Sequence, residues 1–285
     1  MGGDWPPGYS DGRFWVGAFG RNEEADLEYG ISGYTYKPRG AMLGYDKTIG
    51  GFSVGGALAY GHGKYEDKAS TSNDSKISSY SGGLYGSYHG QSGFKASAHL
   101  TYSHLRNDLR DLRGGMWRDA DYSSYSWSVG GKLGYDLFVN EQLTLSPSIG
   151  LNKIQAISRS HDEALNGFGV LRVGEVRRDA LLVPLDVTLG YGLFRSSDTL
   201  PRLTGNCGYP YDLADGGLGG SLAYEGLAGA SSMGVADRDG GKNRYNLGVG
   251  VVFTNNRFDV GARYDYTTSS GQTSHQAQGN LGIKF

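Results

Sequence analysis

YSWSVGGKLGYDL, residues 125–137, decides how the rest of the chain is read. Tyr125, Trp127, Val129, Gly131, Leu133, Tyr135 and Leu137 hold one set of alternate positions. Ser126, Ser128, Gly130, Lys132, Gly134 and Asp136 hold the other. A period of two sustained this long is a β-strand with one apolar and one wet face. It exceeds the usual five or six residues of a globular strand and suits a tilted bilayer crossing.

The pattern recurs along the chain. Phe52, Val54, Gly56, Leu58 and Tyr60 alternate with Ser53, Gly55, Ala57 and Ala59. Phe94 to Tyr102, Val183 to Leu193 and Phe258 to Tyr266 do the same, and so does the final run GNLGIKF, 279–285. Capped helical periodicity is absent from these stretches. A soluble sandwich would bury the apolar face between two sheets, whereas a transmembrane barrel turns it out to lipid. Strand length favours the barrel, as does a wet face of Lys, Asp, Arg and Gly. Tyr45, Tyr60, Tyr88, Tyr102, Tyr191 and Tyr266 stand near the ends of apolar rows, where an interfacial aromatic girdle belongs.

Composition agrees. The 285 residues include 49 glycines and 21 tyrosines, against an average glycine share of about 7%. The net charge of -2 gives no bulk attraction to nucleic acid, and no nucleic-acid partner is expected. No apolar run reaches the length of a membrane helix. Met1-Gly2-Gly3-Asp4 has neither the basic nor the apolar region of a signal peptide. Residues 1–12 therefore read as a linker remnant or expression start, and 13–285 as one domain. Cys207 stands alone, so it is expected to be a buried or loop thiol outside any disulfide or metal site.

The connections alternate in length. Short ones fall at 47–51, 89–93, 139–142 and 255–257, and longer polar ones near 21–35, 63–76, 105–121, 156–179 and 227–243. Short turns on one rim and long loops on the other is the build of an outer-membrane barrel. Twelve antiparallel strands are expected, near 13–20, 36–47, 51–64, 76–89, 93–105, 121–138, 142–156, 179–195, 217–227, 243–254, 257–268 and 273–285. The even count puts both termini on the short-turn, periplasmic rim. Residues 196–216 (SSDTLPRLTGNCGYPYDLADG) fit this scheme worst, being long where a short turn belongs.

Chemistry-bearing motifs are sparse. There is no G-x-S-x-G, no H-E-x-x-H and no phosphate loop. Ser158-Arg159-Ser160-His161-Asp162-Glu163 holds serine, histidine and acid side by side. Neighbours in a loop lack the separate anchors of a triad, so a solvated extracellular loop is expected there. The histidines are scattered, with His62, His89 and His104 near rims. No enzyme activity, metal or cofactor is expected. The wet face places Asp46, Lys95, His99, Lys132, Asp136, Asp186, Asp259, Arg263 and Asp265 toward the lumen. They read either as a hydrated pore lining or as groups that pair with one another.

Several of these stretches resemble a known family. Phe14-Trp15-Val16-Gly17-Ala18-Phe19-Gly20 resembles its first strand. Gly40-Ala41-Met42-Leu43-Gly44-Tyr45-Asp46 resembles its G-x-x-x-G-x-D signature. FSVGGALAY (52–60) and YSGGLYGSY (80–88) resemble the next two strands, and 280–285 resembles the terminal strand. Together they resemble the C-terminal translocator domain of monomeric autotransporters, the type Va secretion systems. That resemblance implies an integral outer-membrane barrel that anchors and helps export an N-terminal passenger through its lumen. It implies a linker helix in the lumen, a monomeric barrel, contact with outer-membrane lipid, and assembly-machinery recognition of Leu281, Ile283 and Phe285. Some relatives cut their own linker with lumenal carboxylates, a role for which Asp46 or Asp136 is placed. The family often has glycine five places before the final aromatic, where this chain has Asn280. A small outer-membrane porin is the alternative.

Overall fold

The computed structural model describes residues 12–26, 33–165, 169–193, 200–213, 221–224, 233–234, 244–269 and 271–285. Twelve strands form a closed antiparallel barrel. They are β1 (Arg13–Ala25), β2 (Tyr34–Ile49), β3 (Phe52–Asp67), β4 (Ser75–His89), β5 (Phe94–Arg113) and β6 (Met116–Tyr135). The circuit continues with β7 (Leu143–Ser158), β8 (Val176–Gly192), β9 (Leu200–Asp212), β10 (Arg244–Thr254), β11 (Phe258–Ser269) and β12 (Gln272–Lys284). Each pairs with its sequence neighbour, and β12 closes on β1 from Arg13↔Lys284 to Ala25↔Gln272. Phe285 extends the seam: its N–H donates to Gly12 O at 3.1 Å, and Gly12 N–H donates to Phe285 O at 3.2 Å. Closure leaves no strand edge, which is how a β-structure satisfies its backbone groups in lipid. No helix occurs among the described residues.

The barrel is inside out relative to a soluble domain. Among the described residues, the buried apolar side chains are few: Ala25, Ala120, Val173 and Pro201. Buried polar groups outnumber them and include Asp46, Asp111, Asp136 and Asp259. Large apolar side chains such as Leu58, Leu84, Val249 and Ile283 are exposed on the outer face.

That face is bounded by aromatic rings. Near the short-turn rim Phe52 packs on Tyr88 at 4.5 Å, Tyr88 on Phe94 at 6.4 Å, and Tyr45 on Phe285 at 6.2 Å. Toward the other rim Tyr60 packs on Tyr80 at 5.2 Å, and Tyr266 on His275 at 5.0 Å. Phe52 and Tyr60 are eight residues apart on β3, roughly 27 Å of strand. A tilt near 40° brings this to about 20 Å, close to the apolar band of a membrane barrel.

The expected short turns form. Gly50 and Gly51 take positive φ (56° and 87°), as a two-residue hairpin turn demands. Asn140 and Asn255 each accept two backbone N–H bonds and so build their turns from side chains. Both strand termini at the seam lie on this rim.

Three expectations are corrected. The ninth barrel strand is Leu200–Asp212, paired to β8 and β10, and not 217–227. Of that stretch Ser221–Tyr224 is described, and it pairs with Gly169–Val173 beyond the barrel wall; the rest lies outside the described residues. The expected loop at 105–121 is a continuous hairpin in which β5 and β6 run to Gly114-Gly115. Cys207 is neither buried nor in a loop, because it is exposed on β9. Residues 1–11, assigned to a linker remnant, and most of 227–243 lie outside the described residues.

Candidate functional site

Contacts that skip a strand identify the concave side. Trp15 Nε1 on β1 donates to Tyr85 OH on β4 at 3.0 Å, and Tyr85 OH donates to Asp46 Oδ2 on β2 at 2.9 Å. Such a chord is possible only across the inside of the curve. The wet face of the alternation is therefore the lumen.

The densest cluster lies at the short-turn end, across the β12–β1 seam. Arg13 donates to Asp46 through Nη2 at 2.8 Å and Nε at 3.1 Å. The same guanidinium reaches Asp259 Oδ2 at 3.2 Å. Lys284 Nζ lies 2.7 Å from Asp259 Oδ1 and donates to Asn255 O at 2.8 Å. Asp259 is 1% exposed and Asp46 7%. Buried charges of this kind persist only when paired and hydrogen-bonded. The chain Asp46–Arg13–Asp259–Lys284 joins β2, β1, β11 and β12 and holds the ends of the circuit together.

The G-x-x-x-G-x-D motif acquires a physical meaning here. Gly40, Gly44 and Asp46 stand directly opposite Phe19, Trp15 and Arg13 on β1. The two rings lie across the glycines: a Cβ at Gly44 would meet the Trp15 ring at 2.5 Å, and one at Gly40 the Phe19 ring at 2.7 Å. The aspartate takes the arginine.

The other expected residues fall into separate groups around the lumen. Lys95 Nζ lies 2.7 Å from Asp136 Oδ1, and His89 Nε2 lies 3.3 Å from Asp136 Oδ2. Ser146 Oγ also donates to Asp136. Lys132 pairs with Asp186 at 2.7 Å. His99 Nε2 is hydrogen-bonded to Ser128 Oγ at 3.2 Å, and Ser128 Oγ donates to Asn152 Oδ1 at 3.1 Å. Arg263 Nη2 donates to Asp265 Oδ1 at 2.8 Å and to Asn206 Oδ1 at 2.7 Å. Asp46 on β2 and Asp136, just past the end of β6, thus lie in separate clusters, each with its own basic partner. Sequence reasoning missed Arg13, Trp15, Tyr85 and Lys284. Alternation alone puts Arg13 and Trp15 on the wet face, one position from Phe14, and that was the available signal.

A second buried cluster stands in the long-hairpin extension. Arg118 Nε donates to Asp111 Oδ1 at 2.8 Å, and Arg118 Nη1 lies 3.5 Å from Glu163 Oε2. The His161 ring stacks on Tyr122 at 3.8 Å. Burial raises the Tyr122 phenol, and the negative charge of Glu163 adds to the shift, so the ring stays neutral. The segment 158–163, expected as a solvated loop, is therefore partly buried: Glu163 is 6% exposed. His161 faces Tyr122 and Ser158 accepts from Ser124 Oγ at 3.3 Å, so the serine and histidine do not converge. No group of three or more His, Cys, Asp or Glu that could hold a metal occurs among the described residues.

Comparison with known proteins bears on this arrangement. A family model described as "Autotransporter beta-domain" matches residues 14–265. The chain is 26% identical over 282 residues to the uncharacterized protein YaiT of Salmonella typhimurium, covering 96% of this chain and 27% of that one. It thus spans about a quarter of the length of the curated relatives it matches. Among solved structures it superposes on the translocator domain of autotransporter NalP from Neisseria meningitidis with a TM-score of 0.76. That match has 14% identity and covers 99% of this chain and 90% of that one. The transport unit of autotransporter AIDA-I from Escherichia coli gives 0.67 at 16% identity, covering 100% and 92%.

Proposed function

The chain belongs to the autotransporter beta-domain family, and is thus an integral outer-membrane translocator barrel for passenger export; from that premise we propose how its lumen serves the task. Asp46, Lys95, His99, Lys132, Asp136, Asp186, Asp259, Arg263 and Asp265 line a polar conduit for the linker and passenger. Its own paired charges keep the wall from binding the transiting chain tightly. The carrying observation is that these residues hold one another: Arg13 bridges Asp46 and Asp259, Lys95 holds Asp136, and Lys132 holds Asp186. A wall whose charges are already compensated offers water and hydrogen bonds without a deep electrostatic trap.

The barrel acts as a monomer without catalysis. A self-cleaving carboxylate needs a proton-accepting oxygen free to face the linker, whereas Asp46 and Asp136 are both engaged by basic groups. The short-turn rim, with both ends of the circuit, faces the periplasm. The outward row Leu281, Ile283 and Phe285 then meets the assembly machinery before it meets lipid, and Tyr45, Tyr60, Tyr88, Tyr102, Tyr191 and Tyr266 sit at the two membrane interfaces. The passenger, and with it the biological role, belongs to sequence beyond this chain.

The test is surface display. An epitope-tagged reporter with a helical linker is fused ahead of residue 1, behind a signal peptide, and expressed in Gram-negative cells. The reading predicts an epitope that antibodies and external protease reach on intact cells. An inserted barrel whose reporter remains periplasmic, with steady conductance in planar bilayers, would contradict it and favour the porin.

A further inference from the structure

The outer surface is uneven beyond its aromatic ring. On β9, β10, β11 and β12 the outward positions of the described residues hold no lysine or arginine; they run through Tyr209, Tyr211, Tyr245, Tyr266 and Thr268. On β2 to β5 the register differs. Arg39 stands opposite His62, His62 opposite Ser78, and Ser78 opposite Arg106. The next outward row is Lys37, Lys64 and Lys76, each directly opposite the next. Both rows lie just beyond Tyr60 and Tyr80 along the strands.

Like charges directly opposite across strands are destabilising, so three lysines in one row call for an anion. The chain supplies part of it: Lys64 pairs with Glu66 at 3.0 Å and Lys76 with Asp74 at 3.3 Å, and Asp108 faces Lys76 in register. All of these are exposed, and exposed pairs contribute little. Lys37, Arg39 and Arg106 have no ion pair among the described residues. The row from Arg39 to Arg106 crosses three strand spacings, roughly 14 Å, wider than one phosphate. Past the Tyr60–Tyr80 pair, on the membrane side, small residues open an apolar groove of about 480 Å³. Gly56 and Gly82 form its floor, and Leu58, Leu84, Leu100 and Tyr102 its walls.

We propose that this face of β2–β5 is a binding site for a multiply acylated lipid carrying at least two phosphates, with headgroup on the cationic rows and acyl chains in the groove. Charge complementarity and the continuity of cations, aromatics and groove identify the occupant. Phosphate on clustered Arg and Lys is favourable where the groups are partly withdrawn from water. The site rests on the membrane reading of the barrel and gives it one preferred lipid contact.

The full chain is refolded into phosphatidylcholine vesicles containing a hexa-acylated, bisphosphorylated glucosamine disaccharide lipid. The barrel is then extracted in mild detergent, and native mass spectrometry counts retained lipid. We expect at least tenfold more retention of this lipid than of its dephosphorylated form or of phosphatidylglycerol. The variant K37Q/R39Q/K64Q should lose that preference, and K68Q/R172Q/R177Q, with the same change in charge elsewhere, should keep it. The comparison between lipids needs no variant, so a folding defect leaves the test intact. Equal retention of the three lipids, or full competition by soluble pyrophosphate, overturns the inference while the barrel stands. Failure to enter any vesicle overturns the membrane reading and this inference with it.

Discussion

Tyr45 and Asp46 are neighbours on β2 and live in different solvents. Tyr45 is exposed on the outer face, packed against Phe285 at the rim. Asp46 is almost sealed, bound by Arg13 and Tyr85 inside the barrel. The same contrast repeats between Val260 and Asp259 on β11, and between Leu133 and Lys132 on β6. Both faces depart from a soluble protein, in opposite senses. The outer face needs apolar surface and little complementarity, because lipid conforms to it. The inner face needs complementarity wherever a charge has left bulk water, as Asp46 and Asp259 have. Substitutions on the inner face should therefore depend on the partner, and those on the outer face on depth.

The largest effect is expected at the seam. Asp259→Asn leaves Arg13 and Lys284 without their shared carboxylate, and breaking a buried pair costs about 3 kcal/mol or more. Urea unfolding of the barrel in vesicles should show it; a change under about 1 kcal/mol would make the seam cluster no different from a surface pair. On the outer face, Leu84→Arg should cost about 2–4 kcal/mol if Leu84 lies near the midplane. The same assay should find a smaller loss when arginine replaces Phe258 near the rim. A uniform penalty at both depths would argue against a bilayer around this face.

A third test concerns the fit of β1 on β2. Gly44→Val forces a methyl-bearing carbon into the Trp15 ring, and overpacking of this kind costs about 1–3 kcal/mol. Trp15→Ala in the same chain should recover part of that loss, a coupling read from a double-mutant cycle. Simple additivity would mean that the ring does not rest on the glycine. The smallest effect should come from Lys132→Gln. Lys132 is 46% exposed beside Asp186, so its removal should change stability by less than about 1 kcal/mol. A larger loss would show that this part of the lumen is drier than the exposure implies.

Much of this contrast is written in the sequence. Period-two alternation identifies which residues share a face, and turn chemistry at Gly50-Gly51 and Asn255 marks where strands reverse. What it could not carry is contact between distant residues. Arg13 and Asp259 lie 246 positions apart and meet only because the circuit closes. β9 was missed because Pro201, Pro210, Gly205 and Gly208 are breakers by local rule. In the barrel Pro210 stands opposite Pro184, so two missing donors fall at one place in the ladder. The extension of β5 and β6 was read as loop because beyond the bilayer both faces are wet. There the apolar beat disappears while the strand continues, with Arg110 opposite Asp119 and Asp111 opposite Arg118.

One adjacent pair tests the central contrast most directly. Cys207 points outward from the middle of β9, and Asn206 points inward to Arg263 and Asn246. In vesicles, the native Cys207 and an Asn206→Cys variant in a Cys207→Ser background are exposed to a charged, membrane-impermeant maleimide. The account predicts rapid labelling at 206 and protection at 207, with both reacting once the barrel is unfolded. Rapid labelling at 207, or protection at 206, would contradict a barrel with water inside and lipid outside.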